Sequence, residues 1–498
     1  MKVVELLGGL EEPIADFLLV NLGEKDVTGI TGDSRLVEKG FIFVGVPGSQ
    51  VDGAQFVPKA LEQGAILAII SDQSALPRDF DPSGKPIFRL QDPHLALANL
   101  AGSFYKVALE KVAAVTGTNG KTSIASFLRQ IWAASGQCAA NIGTIGIEGP
   151  SGSSYGGLTT PDPVGMMQSV SALVDEGVTH LALEASSHGL EQKRLDCLPV
   201  DIGAFTNLTR DHLDYHGTLE NYRDAKSQLF SRLVKADGTA IINLDDASGA
   251  HFLAVAKKRG LTCLTVGHDS KADLVIQSIF VEGLDQIVTL SGLWGDVSCK
   301  VPLVGAFQVS NVLVAGLMAH ASGVEAADIL KAIPELKGAC GRMELVAHAG
   351  EDTAIYVDYS HTPDSLEVAL KALRPFVKGR LIVVFGAGGD RDTGKRPMMG
   401  QVANDFADYA IVTDDNPRSE DPAFIRAAVM EPVENGVEIG GRQDAISYGV
   451  DMMKPGDILL VAGKGHERGQ TVLGETLPFS DHEAVAKALA ESGKGEMV

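Results

Sequence analysis

Cysteine is scarce in this chain: there are five among 498 residues, at Cys138, Cys197, Cys263, Cys299 and Cys340. They are widely spaced, odd in number and contain no C-x-x-C pair, which excludes a disulfide frame or a cysteine zinc finger and fits reduced residues of a cytosolic protein. Basic charge is also short. Lysine and arginine total 42 against 64 acidic residues, a net charge of −22. That balance argues against a general nucleic-acid-binding surface and against attachment to an anionic membrane, so no nucleic-acid partner is expected. No apolar run approaches membrane-spanning length, and Met1-Lys2-Val3-Val4-Glu5 meets an acid at once, so no membrane insertion and a cytoplasmic location are expected. Internal repeats and low-complexity tracts are absent too. What remains is a metabolic enzyme whose binding clefts must be locally charge-corrected. With 45% apolar residues it can fill several cores, and its length suggests about three domains.

The stretch with the clearest chemistry is 112–132. The apolar run Val112-Ala113-Ala114-Val115 meets Gly117-Thr118-Asn119-Gly120-Lys121-Thr122-Ser123, and then Ile124, Phe127, Leu128 and Ile131 recur at i, i+3, i+4 and i+7. This reads as strand, phosphate loop and helix. Backbone N–H groups at a helix start can wrap phosphate oxygens if glycines let the chain approach; Lys121 adds a point charge and Thr122 a hydroxyl for Mg²⁺. The spacing departs from G-x-x-x-x-G-K-[ST], because Val115 stands where the first glycine would be.

In chain order, residues 1–92 are expected to form a small N-terminal α/β domain, with strands at 40–46 and 65–70. The polar loops Thr31–Arg35 and Pro47–Gly53 suit a polar group such as a uracil, although two surface turns explain those residues equally well. Residues 93–336 read as a central P-loop, parallel-sheet ATPase domain with antiparallel hairpins attached between 261 and 304. Glu184 ends an apolar strand there, where a carboxylate suits Mg²⁺ better than a core. The loop Asn207–Gly217 gathers five ionisable side chains after another strand. Residues 337–498 read as a C-terminal, Rossmann-like doubly wound domain. Its strands at 354–357, 381–385, 410–413 and 458–462 run into polar loops that should share one sheet edge. Gly386–Gly389 lacks G-x-G-x-x-G phasing, so it is a poor dinucleotide signal.

These motifs together resemble the Mur ligases, which are ATP-dependent amide-forming enzymes of peptidoglycan precursor synthesis. The resemblance rests on Gly117–Thr122, Glu184-Ala185-Ser186-Ser187-His188-Gly189-Leu190, Thr206–Asp214, and Asp358-Tyr359-Ser360-His361-Thr362-Pro363, where the family more often has alanine at the Ser360 position. It covers essentially the whole chain. Among Mur ligases the chain is most similar to those adding meso-diaminopimelate to UDP-N-acetylmuramoyl-L-alanyl-D-glutamate.

The resemblance implies ATP and Mg²⁺ as cofactors and an acyl phosphate intermediate. It places Lys121, Glu184, His212 and Lys226 in the chemistry, with Thr122, Glu184, His212 and a carbamoylated Lys226 holding metal. ATP contacts would come from Gly117, Thr118, Asn119, Gly120, Lys121, Thr122 and Ser123, with Asn311 at the adenine, Asp358 at the ribose and Arg342 at the phosphates. His361 would lie near those phosphates or be an ordinary loop histidine. The UDP substrate would meet Ser34, Ser49, Gln50, Val51, Thr159, Thr160, Ser186, Gln192 and Arg194; Ser49 stands where the family frequently has histidine. Diaminopimelate would meet Arg391, Asp415, Asn416, Pro417, Arg418, Gly463 and Glu467. The expected partners are these small molecules, with the chain as a monomer. An L-lysine-adding Mur ligase is the nearest alternative. A folylpolyglutamate synthase would have no counterpart of residues 1–92, and a P-loop switch module would leave the Asp415–Arg418 loop without a purpose.

Overall fold

A computed structural model describes residues 1–8, 10, 22–48, 51–154 and 156–498. The chain divides into two compact units, the first comprising residues 1–121, 128–266 and 316–324, and the second residues 122–127, 267–315 and 325–498.

The first unit carries two sheets. Strands β1 (Gly29–Thr31), β2 (Phe41–Gly45), β3 (Leu67–Ser71) and β4 (Ile87–Leu90) pair in parallel in the order β1-β2-β3-β4. Successive side chains of a strand point to opposite faces. Ile42, Val44, Leu67 and Ile69 therefore join one core with Leu97 and Leu100 of the helix Pro93–Tyr105, while Phe43, Ala68 and Ile70 join another with Val57 and Ala60. That helix starts where Asp92 accepts the Leu95 N–H at 2.9 Å, a cap made by its own side chain.

The second sheet of this unit is built from β5 (Lys111–Thr116), β6 (Ala139–Gly143), β7 (Gly146–Gly149), β8 (Gly152–Ser154), β9 (His180–Glu184), β10 (Val200–Phe205), β11 (Val234–Asn243) and β12 (Thr262–Gly267). Its strand order is β12-β11-β10-β5-β9-β6-β7-β8. β5 pairs in parallel with both β9 and β10, and its run Val112–Val115 is buried on both faces, which is why it reads as continuously apolar. The helix Lys121–Ala134 follows, and its expected stripe Ile124, Phe127, Leu128 and Ile131 is fully buried.

The second unit begins with an antiparallel meander, β13 (Leu274–Glu282), β14 (Asp285–Gly292) and β15 (Val297–Val301), the hairpins that the alternating sequence predicts. Its large sheet contains β16 (Glu344–His348), β17 (Ala354–Asp358), β18 (Leu381–Phe385), β19 (Tyr409–Val412), β20 (Gly436–Glu438) and β21 (Ile458–Ala462). A small hairpin, β22 (Gly469–Val472) with β23 (Glu475–Pro478), stands apart, and the C-terminal β24 (Glu496–Met497) closes the large sheet, whose order is β20-β19-β18-β21-β17-β16-β24. The five strands from β20 to β17 are parallel. Val383 and Leu460 face one core, Ile382 and Leu459 another, so helices cover both sides as in a doubly wound fold. Among the described residues no helix is long and apolar enough to cross a membrane.

Candidate active site

The carboxyl ends of β5, β9 and β10 carry many of the residues that the sequence singles out in the first unit. After β5, Gly117 adopts φ +151° and Gly120 φ +89°. A side chain at Gly117 would collide with the Thr206 hydroxyl, so the loop can lie against β10's end only because that residue is glycine. The Thr118 and Asn119 N–H groups donate to the Asn207 carbonyl and side-chain oxygen, both at 2.9 Å. The Thr206 hydroxyl donates to the Asn119 carbonyl at 2.6 Å. The Lys121 ammonium folds back onto the Gly117 and Thr118 carbonyls at 2.9 and 2.8 Å.

Lys226, on the helix Leu219–Gln228, is 1% exposed and donates to the same Gly117 carbonyl at 2.7 Å. Burial, followed by the nearby Lys121 charge, pulls its pKa well below the usual lysine range. Its ammonium also stands 4.4 Å over the Tyr222 ring.

Glu184 ends β9 and is 2% exposed, with no ion pair among the described residues. Its oxygens instead accept the Thr144 N–H at 2.8 Å and the Thr144 hydroxyl at 3.0 Å. Gly143 makes room, because a side chain there would overlap the Glu184 carboxylate. From Thr144 the network continues by hydroxyl contact to Thr159 at 3.0 Å. Thr160 donates to the Glu184 carbonyl at 2.8 Å and meets the Ser186 hydroxyl at 2.9 Å. Arg194 donates to the Thr160 carbonyl at 2.8 Å and to Gln192 at 2.6 and 3.0 Å. Thr159, Thr160, Ser186, Gln192 and Arg194 thus form one connected set around Glu184. Ser34 is buried and Val51 exposed; Ser49 and Gln50 lie outside the described residues.

The loop after β10 turns at His212, whose φ of +51° is unusual for a residue with a side chain. His188 packs against His212, Tyr215 and His216 at centroid distances of 5.2, 4.0 and 5.4 Å. His216 is buried and shares a hydrogen bond with the Ser187 hydroxyl at 3.0 Å. Burial and then the neighbouring histidines lower the pKa of His188, which favours its neutral imidazole.

In the second unit, the loops after β17, β18, β19 and β21 open onto a cavity of about 240 Å³. Arg391, Asp415, Asn416, Arg418, Gly463 and Glu467 all line it. Pro417 does not, but its carbonyl presses on Gly389, where any side chain would collide. The glycines of Gly386–Gly389 consequently serve loop packing: a side chain at Gly388 would come 2.8 Å from the Arg418 guanidinium. Arg418 itself holds φ +53° and donates to the Gly389 carbonyl at 2.6 Å. Glu467 accepts Asn416 Nδ2 at 3.1 Å and Lys464 Nζ at 3.1 Å. Lys464, which stands inside Gly463–Glu467 but was not among the expected site residues, is completely buried and lies 3.7 Å from Asp415.

Asn311 is buried and donates to Gln308 at 3.0 Å. Asp358 accepts the Met343 and Ser360 N–H groups at 2.7 and 2.9 Å, plus the Ser360 hydroxyl. The Arg342 guanidinium lies 4.6 Å over the Tyr359 ring. His361 Nδ1 pairs with the Tyr359 carbonyl at 2.9 Å, an ordinary loop contact, and its carbonyl accepts the Lys395 ammonium at 3.0 Å.

Comparison with known proteins agrees along the chain. Residues 26–105 match the Mur ligase family catalytic domain, 115–319 the Mur ligase middle domain, and 341–465 the Mur ligase glutamate ligase domain. A UDP-N-acetylmuramoyl-L-alanyl-D-glutamate–2,6-diaminopimelate ligase of Brucella melitensis is 48% identical over 94% of this chain and 95% of its own. The chain belongs to the Mur ligase family. A ligase of the same name from Rhizobium meliloti is 47% identical over 98% of this chain and 99% of its own. A solved structure with that name superposes with a TM-score of 0.73 at 32% identity, covering 99% of this chain and 100% of the other. In this Mur ligase, Thr144 and Lys464 carry no motif of their own. What marks them is what they touch, a buried strand-end carboxylate and the two acids of a cavity.

Proposed function

We propose that this chain is an ATP-dependent ligase that joins an amino group of meso-diaminopimelate to the D-glutamate γ-carboxylate of UDP-N-acetylmuramoyl-L-alanyl-D-glutamate, releasing ADP and phosphate in the cytoplasm. The observation that carries the reading is the cavity after β17, β18, β19 and β21, lined by Arg391, Arg418, Asp415, Asn416 and Glu467. Diaminopimelate is lysine with a second carboxylate at its far end. A planar guanidinium suits that carboxylate through paired hydrogen bonds, and Asp415 and Glu467 suit an ammonium.

Lys121 and the N–H groups of Gly117–Ser123 are assigned to the nucleotide phosphates; Thr159, Thr160, Ser186, Gln192 and Arg194 are assigned to the UDP substrate, as are Ser34 and the loop Ser49–Val51. In the second unit, Asn311, Asp358 and Arg342 are assigned to adenine, ribose and phosphates. The γ-carboxylate oxygen attacks the γ-phosphorus and the bond to ADP breaks. The incoming amine then attacks the acyl carbon, loses its proton, and phosphate leaves. Two anions must approach in the first step, so fixed positive charge and in-line placement are the protein's main contribution.

Thr122, Glu184, His212 and a carbamoylated Lys226 are the residues that would hold Mg²⁺. A strand-end carboxylate steadied by Thr144 and a helix-start hydroxyl are the hard oxygen donors that ion takes. An ammonium at Lys226 would not fit, but burial beside Lys121 favours the neutral amine that carbamoylation needs. Bound there, Mg²⁺ supplies positive charge against the phosphate oxygens. The test is phosphate release from ATP with each substrate omitted in turn. Release that requires both the UDP-muramoyl-dipeptide and meso-diaminopimelate is the expected result. Dependence on L-lysine, or on a folate with glutamate, would replace the proposal with the corresponding ligase.

A further inference from the structure

Cys340, Glu344 and His482 converge in the second unit, and nothing in the ligase reading uses that convergence. His482 Nε2 lies 2.7 Å from a Glu344 oxygen and 3.9 Å from Cys340 Sγ, and one donor atom from each of the three lies within 4.8 Å of the others. The three residues come from two pieces of chain: Cys340 in the turn before β16 and Glu344 at its first residue, and His482 in the first turn of the helix Asp481–Ser492.

Glu344 and His482 are each steadied by contacts outside the cluster. Glu344 accepts the Gly341 N–H at 2.7 Å, and Gly341, at φ +64°, packs so closely on Gly465 and His466 that no side chain fits. Asp481, the neighbour of His482, is fully buried in a two-pronged pair with Arg442 at 2.6 and 2.7 Å. Such outer support fixes ligand geometry before an ion arrives. The Glu344 and His482 side chains keep 23% and 25% exposure, so ion and solvent can reach them.

We propose that Cys340, Glu344 and His482 form a site for a zinc-class divalent cation, held by one thiolate, one imidazole and one carboxylate with water as the fourth ligand. Sulfur and imidazole nitrogen select this class over Mg²⁺, which prefers oxygen donors alone. The geometry is close to what the ion needs. With Zn–S near 2.3 Å and Zn–N near 2.0 Å, a tetrahedral ion separates its sulfur and nitrogen by roughly 3.5 Å, against the 3.9 Å seen here. The imidazole–carboxylate pair must open by about half an ångström as the ion takes the place of the bridging proton. Arg342 lies between the first two ligands in sequence, so the ion would tie its turn to the helix Asp481–Ser492. The site stands on these contacts alone and does not depend on the ligase assignment.

The test uses the full-length chain without a histidine tag, stripped with chelator and returned to millimolar Mg²⁺. Titration with Co²⁺ should give one equivalent with a thiolate-to-cobalt charge-transfer band, displaced by one equivalent of Zn²⁺. Cys340→Ser should abolish the band, His482→Gln should weaken Zn²⁺ binding at least about tenfold, and Cys138→Ser should leave both unchanged. Zn²⁺ should also protect Cys340 of the parent from iodoacetamide, a readout that needs no variant to fold. Absence of the band, a band that survives Cys340→Ser, or alkylation of Cys340 unaffected by Zn²⁺ would each overturn the site.

Discussion

At the phosphate loop two ammonium groups, Lys121 and Lys226, converge on one Gly117 carbonyl at 2.9 and 2.7 Å. In the loops after β17, β18, β19 and β21, the buried Lys464 instead meets two acids that line the cavity, Glu467 at 3.1 Å and Asp415 at 3.7 Å. A buried ammonium beside a like charge, as Lys226 is beside Lys121, gains most from an arriving anion, because burial and that neighbour disfavour its charged form until a counter-charge comes. A cavity whose lining mixes both signs, Arg391, Lys395 and Arg418 with Asp415 and Glu467, gains less from charge alone and must recognise by the placement of donors and acceptors. The first arrangement suits a polyphosphate. The second suits an amino acid carrying both signs, with Arg391 and Arg418 on its lining beside Asp415 and Glu467.

The sharpest way to break this comparison is at Arg418. If the cavity recognises by placement, Arg418→Ala should remove the selectivity for meso-diaminopimelate over L-lysine by a factor of about 10³, roughly 4 kcal/mol, because lysine leaves the guanidinium without its carboxylate. Arg418→Lys should recover only part, since an ammonium is a point charge without the paired geometry. The measurement is the ratio of kcat/KM for the two amino acids; a parent that prefers lysine, or a variant with unchanged preference, refutes the assignment.

At the phosphate loop charge itself is the expected instrument. Lys121→Ala should lower kcat/KM on the order of 10²-fold, about 2.7 kcal/mol of transition-state stabilisation. Its melting temperature should hardly move, because the ammonium's hydrogen bonds to the Gly117 and Thr118 carbonyls tie down a loop and no part of a core. Near-normal turnover, or a collapse of stability in place of rate, would remove Lys121 from the ATP site.

The contrast between these places was only half legible in the sequence. Strand-then-polar-loop patterns announced β5, β9, β17, β18, β19 and β21, since parallel strands buried on both faces are unbroken apolar runs. The parallel pairing of β17, β18, β19 and β21 then carries Arg391, Asp415, Asn416, Arg418, Gly463 and Glu467 to one sheet edge, as their loops implied. Thr144 could not be found this way. A threonine in a turn is ordinary until Glu184, 40 residues later, is seen to take both its donors. The meeting of Cys340 with His482, 142 residues apart, was equally invisible, because it depends on how a C-terminal helix packs beside β16. The packing role of one glycine run was equally hidden. Gly386–Gly389, a poor dinucleotide signal in the sequence, has two glycines that are required by the closeness of Arg418 and Pro417.

Lys226 is where the comparison can be sharpened most finely. In the sequence it is a helix lysine, a residue type almost never fully buried unless paired. In the structure it is 1% exposed, and burial together with Lys121 lowers its pKa well below the ordinary value. The neutral amine has a lone pair that can attack the carbon of CO₂, forming an N–C bond and a carboxylate while a proton leaves to solvent. The new anion would then offset Lys121, placing an opposite charge where a neutral amine stood. Because the folded-state pKa is depressed, the reactive amine is present above that pKa and is lost as pH falls through it. Activity in buffer stripped of CO₂ should therefore drop, fall further toward acid pH, and return with bicarbonate. Lys226→Ala should lose about tenfold or more and be partly restored by formate or acetate, small carboxylates able to enter the space left behind. A variant as active as the parent, or a parent indifferent to bicarbonate across this range, would show that Lys226 acts as a plain buried amine.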